Sequence, residues 1–368
     1  MNILIIDNSN RITGAFKCAN RLALLFQQEH KFIFLLTQQS TNDSLLQEQG
    51  FSTYKLPIQE LRKSIISVLQ YPFYLIANLI RLKRIVRKEQ IDCVVVNDFY
   101  NLLGAALLLT GSKVVLITYV RFLPSAILKP LRALWTKVAQ RYSHYVIAVS
   151  DAVLGQLPNH RNTIRIYDPV TIEEQLPFAP YTSGTKQLLY LSNFTKGKGQ
   201  EHALKAFAAA NLQDQDVRLI LVGGDLGLEK NQAFREELER EAQELGIAHQ
   251  VSFHAFESNI EQLIKDSYLL LNFSESESFS MTCLEASFYG APVIATRCGG
   301  PEEIIVHEKT GLLVAKQDIK AMASAITTLI HNVPLRNQFA EAAKRYVVTK
   351  FSTEDFKKQF HQLLKSAS

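Results

Sequence analysis

Two glutamates, Glu277 and Glu285, lie eight residues apart around the start of a predicted helix, within the segment 274–290. The helix is predicted to begin near Ser280 and to end at Gly290, because glycine commonly stops a helix. Eight residues are a little over two turns, so both carboxylates can point to one side. A helix N-terminus also offers N–H groups to an anion. The alternative is structural: one carboxylate stabilises the helix dipole and the other lies on a solvated face.

Two lysines and two glycines follow another predicted strand, at Lys196, Gly197, Lys198 and Gly199, and a predicted helix begins directly after them. Glycines let the backbone approach a ligand closely, and a cation near a helix N-terminus favours anion binding. The pattern predicts a phosphate site in which Lys198 is the cation. For Lys196, a solvated loop charge is an equal alternative.

Glycine pairs follow two more predicted strands, at Gly223-Gly224 and at Gly299-Gly300. Such pairs permit close contact between the backbone and a ligand. The alternative for both pairs is a plain turn at the end of a strand.

Short apolar runs alternate with helix-period segments along the 368 residues, which predicts parallel sheets covered by helices on both faces. The length suits two domains of about 180 residues each, and the proline-containing segment 166–183 is predicted to link them. We therefore predict an α/β protein with an N-terminal domain over 1–172, a C-terminal domain over 173–350, and a helix over 351–368 that packs back on the N-terminal domain. The predicted strands are 2–6, 32–36, 93–96, 114–118, 145–149, 187–191, 218–222, 251–253, 268–273, 292–296 and 311–314.

The order of these features resembles the donor-sugar region of retaining glycosyltransferase family 4. The resemblance covers the whole chain and is strongest over 187–314. It implies the GT-B fold, which has two Rossmann-like domains with the active site between them. The residues that carry it are Glu277 and Glu285 with seven residues between them, Gly290-Ala-Pro-Val-Ile, Gly299-Gly300-Pro-Glu-Glu-Ile, and Thr310-Gly-Leu-Leu-Val.

The resemblance implies a role for each matching residue. Glu277 would contact the donor sugar and oppose the positive charge that develops at its anomeric carbon, and Lys198 would hold the diphosphate; these two form the implied catalytic pair. Glu285 would accept hydrogen bonds from the ribose hydroxyls. Asn193 stands where the family has an arginine, so Lys196 is expected to replace that charge. The implied donor-binding residues are Thr13, Gly14, Asn193, Lys196, Gly223, Ser278, Phe279, Ser280 and Glu285.

The first domain departs from the family pattern at three places. Thr13-Gly14 stands where two glycines are usual, and Asp168-Pro169-Val170 replaces the usual Asn-Gly-Val turn. The family histidine near Tyr119 is missing. Arg121 lies close to that position, so we assign it to the acceptor side, and a surface arginine is the plainer alternative.

Neither a metal nor a cofactor is predicted. Asp214-Gln-Asp216 resembles a metal motif of a different glycosyltransferase fold, but it precedes a strand, and ligands bind at the carboxyl ends of parallel strands. The nine histidines lack the spacing typical of metal ligands. We expect Lys198 and helix dipoles to neutralise the diphosphate without a required metal.

The composition predicts a cytoplasmic protein. Hydrophobic residues make up 47% and charged residues 20% of the chain, and no run reaches the ~18 apolar residues of a membrane-spanning helix. Asp7 ends the first apolar run, so a secretory signal is not predicted. The four cysteines are scattered without a CxxC pair and are expected to be reduced.

The net charge of +5 is unevenly divided, because residues 1–172 contain 20 Lys+Arg and 10 Asp+Glu, a net charge of +10. Two basic stretches with apolar faces, 61–88 and 121–142, predict attachment to an anionic membrane surface, with Trp135 or Phe73 inserted. The alternative is that both stretches are core helices with a solvated basic side. Nucleic acid is the other usual partner of a basic surface, but the motifs indicate a nucleotide sugar, so nucleic acid is not expected.

Taken together, these features predict a retaining glycosyltransferase. It would move a sugar from a nucleoside-diphosphate carrier, UDP in our interpretation, to a hydroxyl of a lipid-linked or polysaccharide acceptor. One alternative is a nucleotide-sugar epimerase of the same fold, and another is a non-catalytic subunit that binds a nucleotide. An oxidoreductase is disfavoured, because G-x-G-x-x-G does not follow the first strand.

Overall fold

The chain forms two compact units in a computed structural model that describes residues 1–59, 65–170, 180–181, 184–212 and 216–367. The first unit contains Met1–Asp168 together with Glu354–Ser368, and the second contains Pro169–Thr353. The predicted boundary at 172/173 and residues 61–64 of the basic stretch 61–88 lie outside the described residues.

The first unit is built on a seven-stranded parallel sheet. Its strands are β1 (Asn2–Asp7), β2 (Lys31–Thr37), β3 (Ser52–Leu56), β4 (Cys93–Val96), β5 (Val115–Val120), β6 (Tyr145–Ala148) and β7 (Thr163–Arg165). Its helices up to this point are α1 (Gly14–Phe26), α2 (Asp43–Glu48), α3 (Ile65–Lys88), α4 (Leu103–Leu109), α5 (Lys129–Tyr142) and α6 (Asp151–Leu154). The strand order is β3-β2-β1-β4-β5-β6-β7, so the direction of chain progression reverses between β1 and β4.

The second unit repeats this plan with six parallel strands. They are β8 (Lys186–Leu191), β9 (Val217–Val222), β10 (Val251–His254), β11 (Leu269–Asn272), β12 (Val293–Thr296) and β13 (Gly311–Val314). The helices are α7 (Gln200–Ala209), α8 (Glu229–Glu244), α9 (Ile260–Lys265), α10 (Met281–Tyr289), α11 (Pro301–Ile304), α12 (Ile319–His331) and α13 (Val333–Lys350). The order is β10-β9-β8-β11-β12-β13, and the reversal lies between β8 and β11.

The last helix, α14 (Thr353–Ala367), lies almost wholly in the first unit. The ring of Phe360 packs 5.1 Å from that of Phe26 in α1, and Ser366 Oγ lies 2.7 Å from the hydroxyl of Tyr145 in β6. Apolar packing at the middle of α14 and a hydrogen bond near its C-terminal end therefore hold this helix against the unit.

The predicted α/β class is confirmed, and each of the eleven predicted strands is present to within two residues. Their apolar runs are buried on both faces, as Ile3, Leu4 and Ile5 of β1 show. The prediction missed β3 and β7. Both are edge strands in which Leu56 is the one buried residue, so neither has a continuous apolar run.

Two membrane-related observations concern the helices. None of the helices among the described residues is both long enough and apolar enough to cross a membrane. Trp135 is buried, with its ring edge-on to that of Phe99 at 6.1 Å. The prediction that Trp135 inserts into a membrane is therefore wrong, because the core of the first unit already covers the indole.

Candidate active site

A lysine and a glutamate from distant parts of the second unit form an ion pair. Lys198 Nζ lies 2.8 Å from Glu277 Oε1, although the residues are 79 positions apart in the chain. The Lys198 side chain keeps 36% of its surface exposed and Glu277 keeps 15%. Burial by itself would lower the pKa of Lys198, but attraction to Glu277 and the hydrogen bond between them outweigh burial and raise it. The lysine is therefore a cation at neutral pH that solvent can reach.

The sheet topology explains why these two residues meet. Lys198 follows β8 and Glu277 follows β11, and these strands are neighbours at the point where the strand order reverses. In open parallel sheets, ligands bind outside the carboxyl ends of the strands at such a point. The structure therefore brings the two predicted anion-binding loops together at the ligand-binding end of the sheet.

Tyr190, which is buried in β8, holds the two loops in place. Its hydroxyl accepts a hydrogen bond from the Phe273 N–H at 2.8 Å and donates one to the Lys198 carbonyl. Burial raises the pKa of Tyr190, so this hydroxyl remains a donor. The Ser274 hydroxyl lies 2.8 Å from Glu277 Oε1 and 3.2 Å from the Lys198 carbonyl oxygen, and it can donate to either. These contacts fix the Lys198 backbone and leave its ammonium group facing Glu277.

Two glycines are required by close backbone contacts in this site. Gly199 has φ = +79°, and a Cβ atom there would lie 2.1 Å from the Phe273 carbonyl oxygen. A Cβ atom at Gly300 would lie 2.2 Å from Phe279 Cα. Gly300 also donates its N–H to the Glu277 carbonyl at 2.8 Å, which ties the glutamate loop to the loop after β12. A larger residue at either position would displace the backbone that carries Lys198 or Glu277.

Helix α10 starts directly after the glutamate loop. Ser280 precedes its first turn with φ = +79°, a conformation that residues other than glycine rarely adopt. The Asn272 side chain donates a hydrogen bond to the Ser280 hydroxyl at 3.1 Å, and Ser280 does not cap the helix. Ser278 and Glu285 are half-buried, and Glu285 lies in the second turn of α10. The positive end of the α10 dipole therefore lies close along the chain to Glu277.

The loop after β8 interlocks with the loop after β9. The Asn193 side-chain oxygen accepts the Gly224 N–H at 3.2 Å, and the Gln200 amide donates to the Asn193 carbonyl at 2.9 Å. A Cβ atom at Gly223 would lie 1.9 Å from the Ser192 carbonyl oxygen, so this glycine is needed for the contact. Asn193 therefore holds the loop that contains Lys198 against the glycine turn.

Lys196 faces helix α8. Its Nζ atom lies 2.9 Å from Glu237 Oε2 and 5.6 Å from the centre of the Phe234 ring. The lysine side chain is 70% exposed, and these contacts fit the alternative of a solvated charge that we gave for it.

The two predicted donor residues of the first unit are at the start of α1. Thr13 caps the helix, because its Oγ1 accepts the Phe16 N–H at 3.2 Å, and it also lies 3.0 Å from the Ser9 hydroxyl. A Cβ atom at Gly14 would meet nothing within 4 Å. Both residues follow β1, at the strand reversal of the first sheet.

Arg121 is the centre of a buried polar network at the carboxyl ends of β1, β4 and β5. Its guanidinium donates hydrogen bonds to Asp168 Oδ2 at 2.6 Å and to Asn97 Oδ1 at 2.7 Å. Its backbone N–H donates to Asp98 Oδ1 at 3.3 Å. The Asn97 amide in turn donates to Asp7. The interpretation of Arg121 as a surface arginine is therefore wrong: it is 7% exposed and paired with Asp168.

Burial changes the acid–base behaviour of this network. It raises the pKa of Asp98 to about 8, although the backbone hydrogen bond and the charge of Arg121 act in the opposite direction. It also raises the pKa of Asp7, and hydrogen bonds from Asn97 and Ser9 partly oppose this. Sequence reasoning missed Asp7, Asn97 and Asp98. The signal available was a polar residue placed at or directly after the end of a buried strand.

Three side chains that could offer metal ligands lie together elsewhere in the first unit. Ligand atoms of Glu29, His30 and His361 lie within 4.8 Å of one another. None of the three is a predicted donor-site residue. Of the D-x-D pair, Asp214 lies outside the described residues, whereas Asp216 precedes β9 and accepts a hydrogen bond from Thr185 at 2.7 Å. Asp216 is therefore at the amino end of its strand, away from the ligand-binding edge.

The whole chain shares its fold with HepE of Anabaena, which has been solved in complex with UDP-glucose. The alignment covers 100% of both chains with a TM-score of 0.83 at 21% sequence identity. Two parallel-sheet Rossmann-like units of this kind define the GT-B fold.

Residues 172–346 match the family described as Glycosyl transferases group 1. The matched segment lies within the second unit and covers just under half of the chain, and it supports the sequence resemblance to glycosyltransferases for that part of the chain. This segment contains both Lys198 and Glu277.

Two relatives are similar over a comparable stretch. N-acetyl-alpha-D-glucosaminyl L-malate synthase of Bacillus anthracis is 32% identical over 184 residues, which are 48% of this chain and 45% of that protein. D-inositol 3-phosphate glycosyltransferase of Corynebacterium urealyticum is 31% identical over 187 residues, which are 49% of this chain and 43% of that protein. The chain thus spans less than half the length of these relatives.

Proposed function

We propose that this protein is a retaining glycosyltransferase that moves a hexose from a UDP-linked donor to a hydroxyl of a lipid-linked or polysaccharide acceptor. The observation that carries the proposal is the Lys198–Glu277 pair, located at the strand reversal of a glycosyl transferases group 1 domain. The relatives named above are transferases or synthases of sugar conjugates, and HepE was solved with UDP-glucose. These names support a sugar nucleotide as the donor and give no support to the epimerase alternative.

In this proposal, Lys198 binds the diphosphate of the donor. Its ammonium group is charged and partly exposed, and in the structure it is bound to Glu277. A diphosphate carries more negative charge than one carboxylate, so it can compete with Glu277 for the ammonium group. Helix α7 begins directly after Gly199, and the positive end of its dipole would add to the attraction of the diphosphate by Lys198.

Glu277 would act on the sugar and not on the phosphate. When Lys198 turns to the diphosphate, the Glu277 carboxylate still accepts a hydrogen bond from the Ser274 hydroxyl. The Glu277 backbone keeps its hydrogen bonds to Cys298 and Gly300. A carboxylate fixed in this way can oppose the positive charge that develops at the anomeric carbon. Glu285 on α10 would accept hydrogen bonds from the ribose hydroxyls.

Retention follows if the acceptor attacks from the side on which the diphosphate leaves. The bond between the anomeric carbon and the phosphate oxygen breaks, and its electron pair stays on the diphosphate. The acceptor oxygen bonds to the anomeric carbon on the same face, and its proton passes to the departing phosphate oxygen. Lys198 and the helix dipoles would stabilise the diphosphate as its charge increases.

Nucleotide binding tests the donor half of the proposal. UDP and UDP-sugars should raise the melting temperature by mass action more than GDP, ADP or CMP do. If none of these nucleotides changes the melting temperature, the assignment of the donor site is wrong. Binding should persist in EDTA, because we propose that Lys198 and the helix dipoles, and not a metal, neutralise the diphosphate.

Product analysis tests the reaction. A UDP-sugar incubated with lipid-linked and polysaccharide acceptors should yield a glycoside whose anomeric configuration, measured by NMR, matches that of the donor. Conversion of the donor to another sugar nucleotide without an acceptor would instead identify an epimerase. UDP binding without turnover on any acceptor would identify a non-catalytic subunit. We further propose that the reaction takes place in the cytoplasm.

A further inference from the structure

Helix α3 of the first unit exposes a row of large apolar side chains. The row has four residues, which are between 50% and 75% exposed although their types are usually buried: Leu69, Phe73, Ile76 and Ile80. Exposed apolar groups that occur singly need no explanation, whereas four in a row on one helix mark an interaction surface.

The spacing of these residues places them on one side of the helix. At about 100° per residue, positions 69, 73, 76 and 80 fall within a sector of about 60°. The residues that bury α3 against the sheet, Asn78, Leu82 and Ile85, fall in the opposite sector. The apolar row therefore points away from the core of its own unit, and it is separate from the face of α3 that packs on the sheet.

The same outward row becomes basic toward the end of the helix. Lys83, Arg84 and Arg87 lie on the same side of the helix as the apolar row, and both arginines are exposed. The described helix, Ile65–Lys88, contains five basic residues and no acidic residue. Along the outward row, α3 thus presents about three turns of apolar surface followed by a cationic end.

Neighbouring helices also carry exposed apolar and cationic side chains. Helix α4 packs beside α3 on one side and beside α5 on the other. Each carries an exposed leucine, Leu109 on α4 and Leu134 on α5. Lys137 and Arg141, which are exposed, lie three and seven residues after Leu134 and therefore on the same side of α5. The mixture of apolar and cationic groups is shared by adjacent helices and is not confined to α3.

We infer that the outward face of α3 docks this protein on an anionic lipid bilayer. The apolar turns around Phe73 insert at the headgroup boundary, and Lys83, Arg84 and Arg87 contact anionic headgroups. Charge complementarity selects this occupant: a row of apolar groups followed by cations, on a described helix without acidic residues, is the surface that an interfacial helix presents to such a membrane. The inference does not depend on the donor site, because every residue that carries it belongs to the first unit.

Vesicle co-sedimentation of the full chain tests the inference. We expect binding at low salt to vesicles of equal parts phosphatidylglycerol and phosphatidylcholine, weak binding to phosphatidylcholine alone, and partial release at high salt. The triple variant Lys83→Gln, Arg84→Gln, Arg87→Gln should bind about 100-fold more weakly, since each basic side chain near the surface contributes about 1 kcal/mol. Its matched control is Lys113→Gln, Lys358→Gln, Lys365→Gln, which removes the same charge from other exposed positions of the first unit and should bind within about threefold of the parent.

A second pair of variants tests insertion. Phe73→Ser with Ile76→Ser should abolish the salt-resistant part of binding, whereas Leu24→Ser, an exposed apolar position on α1, should retain it. Phe73→Trp should show fluorescence that brominated lipids quench, against a parent whose single tryptophan, Trp135, is buried.

Three results would overturn the inference. One is failure to bind phosphatidylglycerol vesicles at low salt. Another is equal loss of binding in the triple variant and its control, which would indicate a diffuse charge effect. The third is a dimer in sedimentation velocity that Phe73→Ser with Ile76→Ser dissociates, which would assign the row to a second copy of this chain.

Discussion

Replacing Lys198 by alanine should weaken UDP binding by about 10- to 150-fold. The variant removes one charge-assisted contact with the diphosphate, which is worth about 1.5–3 kcal/mol. The backbone at this position should not change, because Tyr190 and Ser274 contact the Lys198 carbonyl and not its side chain. The lost pair with Glu277 is partly solvated and should change the free energy of unfolding by about 0–1 kcal/mol.

Isothermal titration with UDP, together with a thermal melt, separates these two effects. The melting temperature should change by only a few degrees, since about 1 kcal/mol shifts a unit of the size of Pro169–Thr353 by roughly 2–4 °C. Lys205→Ala is the matched control. Lys205 lies on α7, its ammonium group pairs with Glu241 at 3.2 Å, and its side chain is 47% exposed. If Lys198→Ala binds UDP as tightly as the control does, Lys198 does not hold the diphosphate.

Three further outcomes are expected. Glu277→Gln should lower turnover strongly and leave UDP affinity equal or higher, because the amide no longer competes for the Lys198 ammonium group; a parallel loss of affinity, measured by titration, would contradict this. Gly300→Ala should lower both melting temperature and UDP affinity, since its methyl group would lie 2.2 Å from Phe279 Cα, whereas Gly14→Ala, which meets nothing within 4 Å, should keep its melting temperature. Because burial raises the pKa of Asp98 to about 8, folding takes up a proton between about pH 4 and pH 8, and the free energy of unfolding falls as pH rises through that range. Chemical denaturation from pH 5 to 8 should therefore show a weaker dependence of this free energy on pH for Asp98→Asn than for the parent. The same dependence in both proteins would refute the raised pKa.

The strands that could be predicted from sequence are those buried on both faces. The run Cys93–Val96 is apolar at every position, because β4 lies inside the sheet with helices on both sides. β3 contains exposed Lys55 and β7 is half-buried throughout, because an edge strand needs less apolar cover. The pattern that predicts a strand is a pattern of burial, so it weakens at the edges of a sheet.

The loops that contain Lys198 and Glu277 were predictable for a related reason. Glycines and lysines between a strand and a helix give a local signal, and the loops of Lys198 and Glu277 each contain their own signal. Their contact across 79 positions was not predictable from spacing, because it depends on β8 and β11 being neighbours. The interpretation of Arg121 as a surface arginine was wrong for the same physical reason. Its partner Asp168 is 47 positions away, and nothing in the local sequence distinguishes a buried arginine from a solvated one.

The two strand reversals differ in what their polar groups contact, and this difference supports the placement of the donor in the second unit. Near the reversal of the first unit, Arg121, which directly follows β5, is buried and already bound to Asp168 and Asn97. At the reversal of the second unit, Lys198 keeps more than a third of its surface exposed and has one carboxylate partner that a diphosphate can displace. A buried cation that is already paired with a carboxylate gains little from a new anion, because breaking its present bonds costs about what the new bonds return. A partly exposed cation beside a helix N-terminus loses less when it exchanges its partner, so of these two cations Lys198 is the better suited to bind a phosphate.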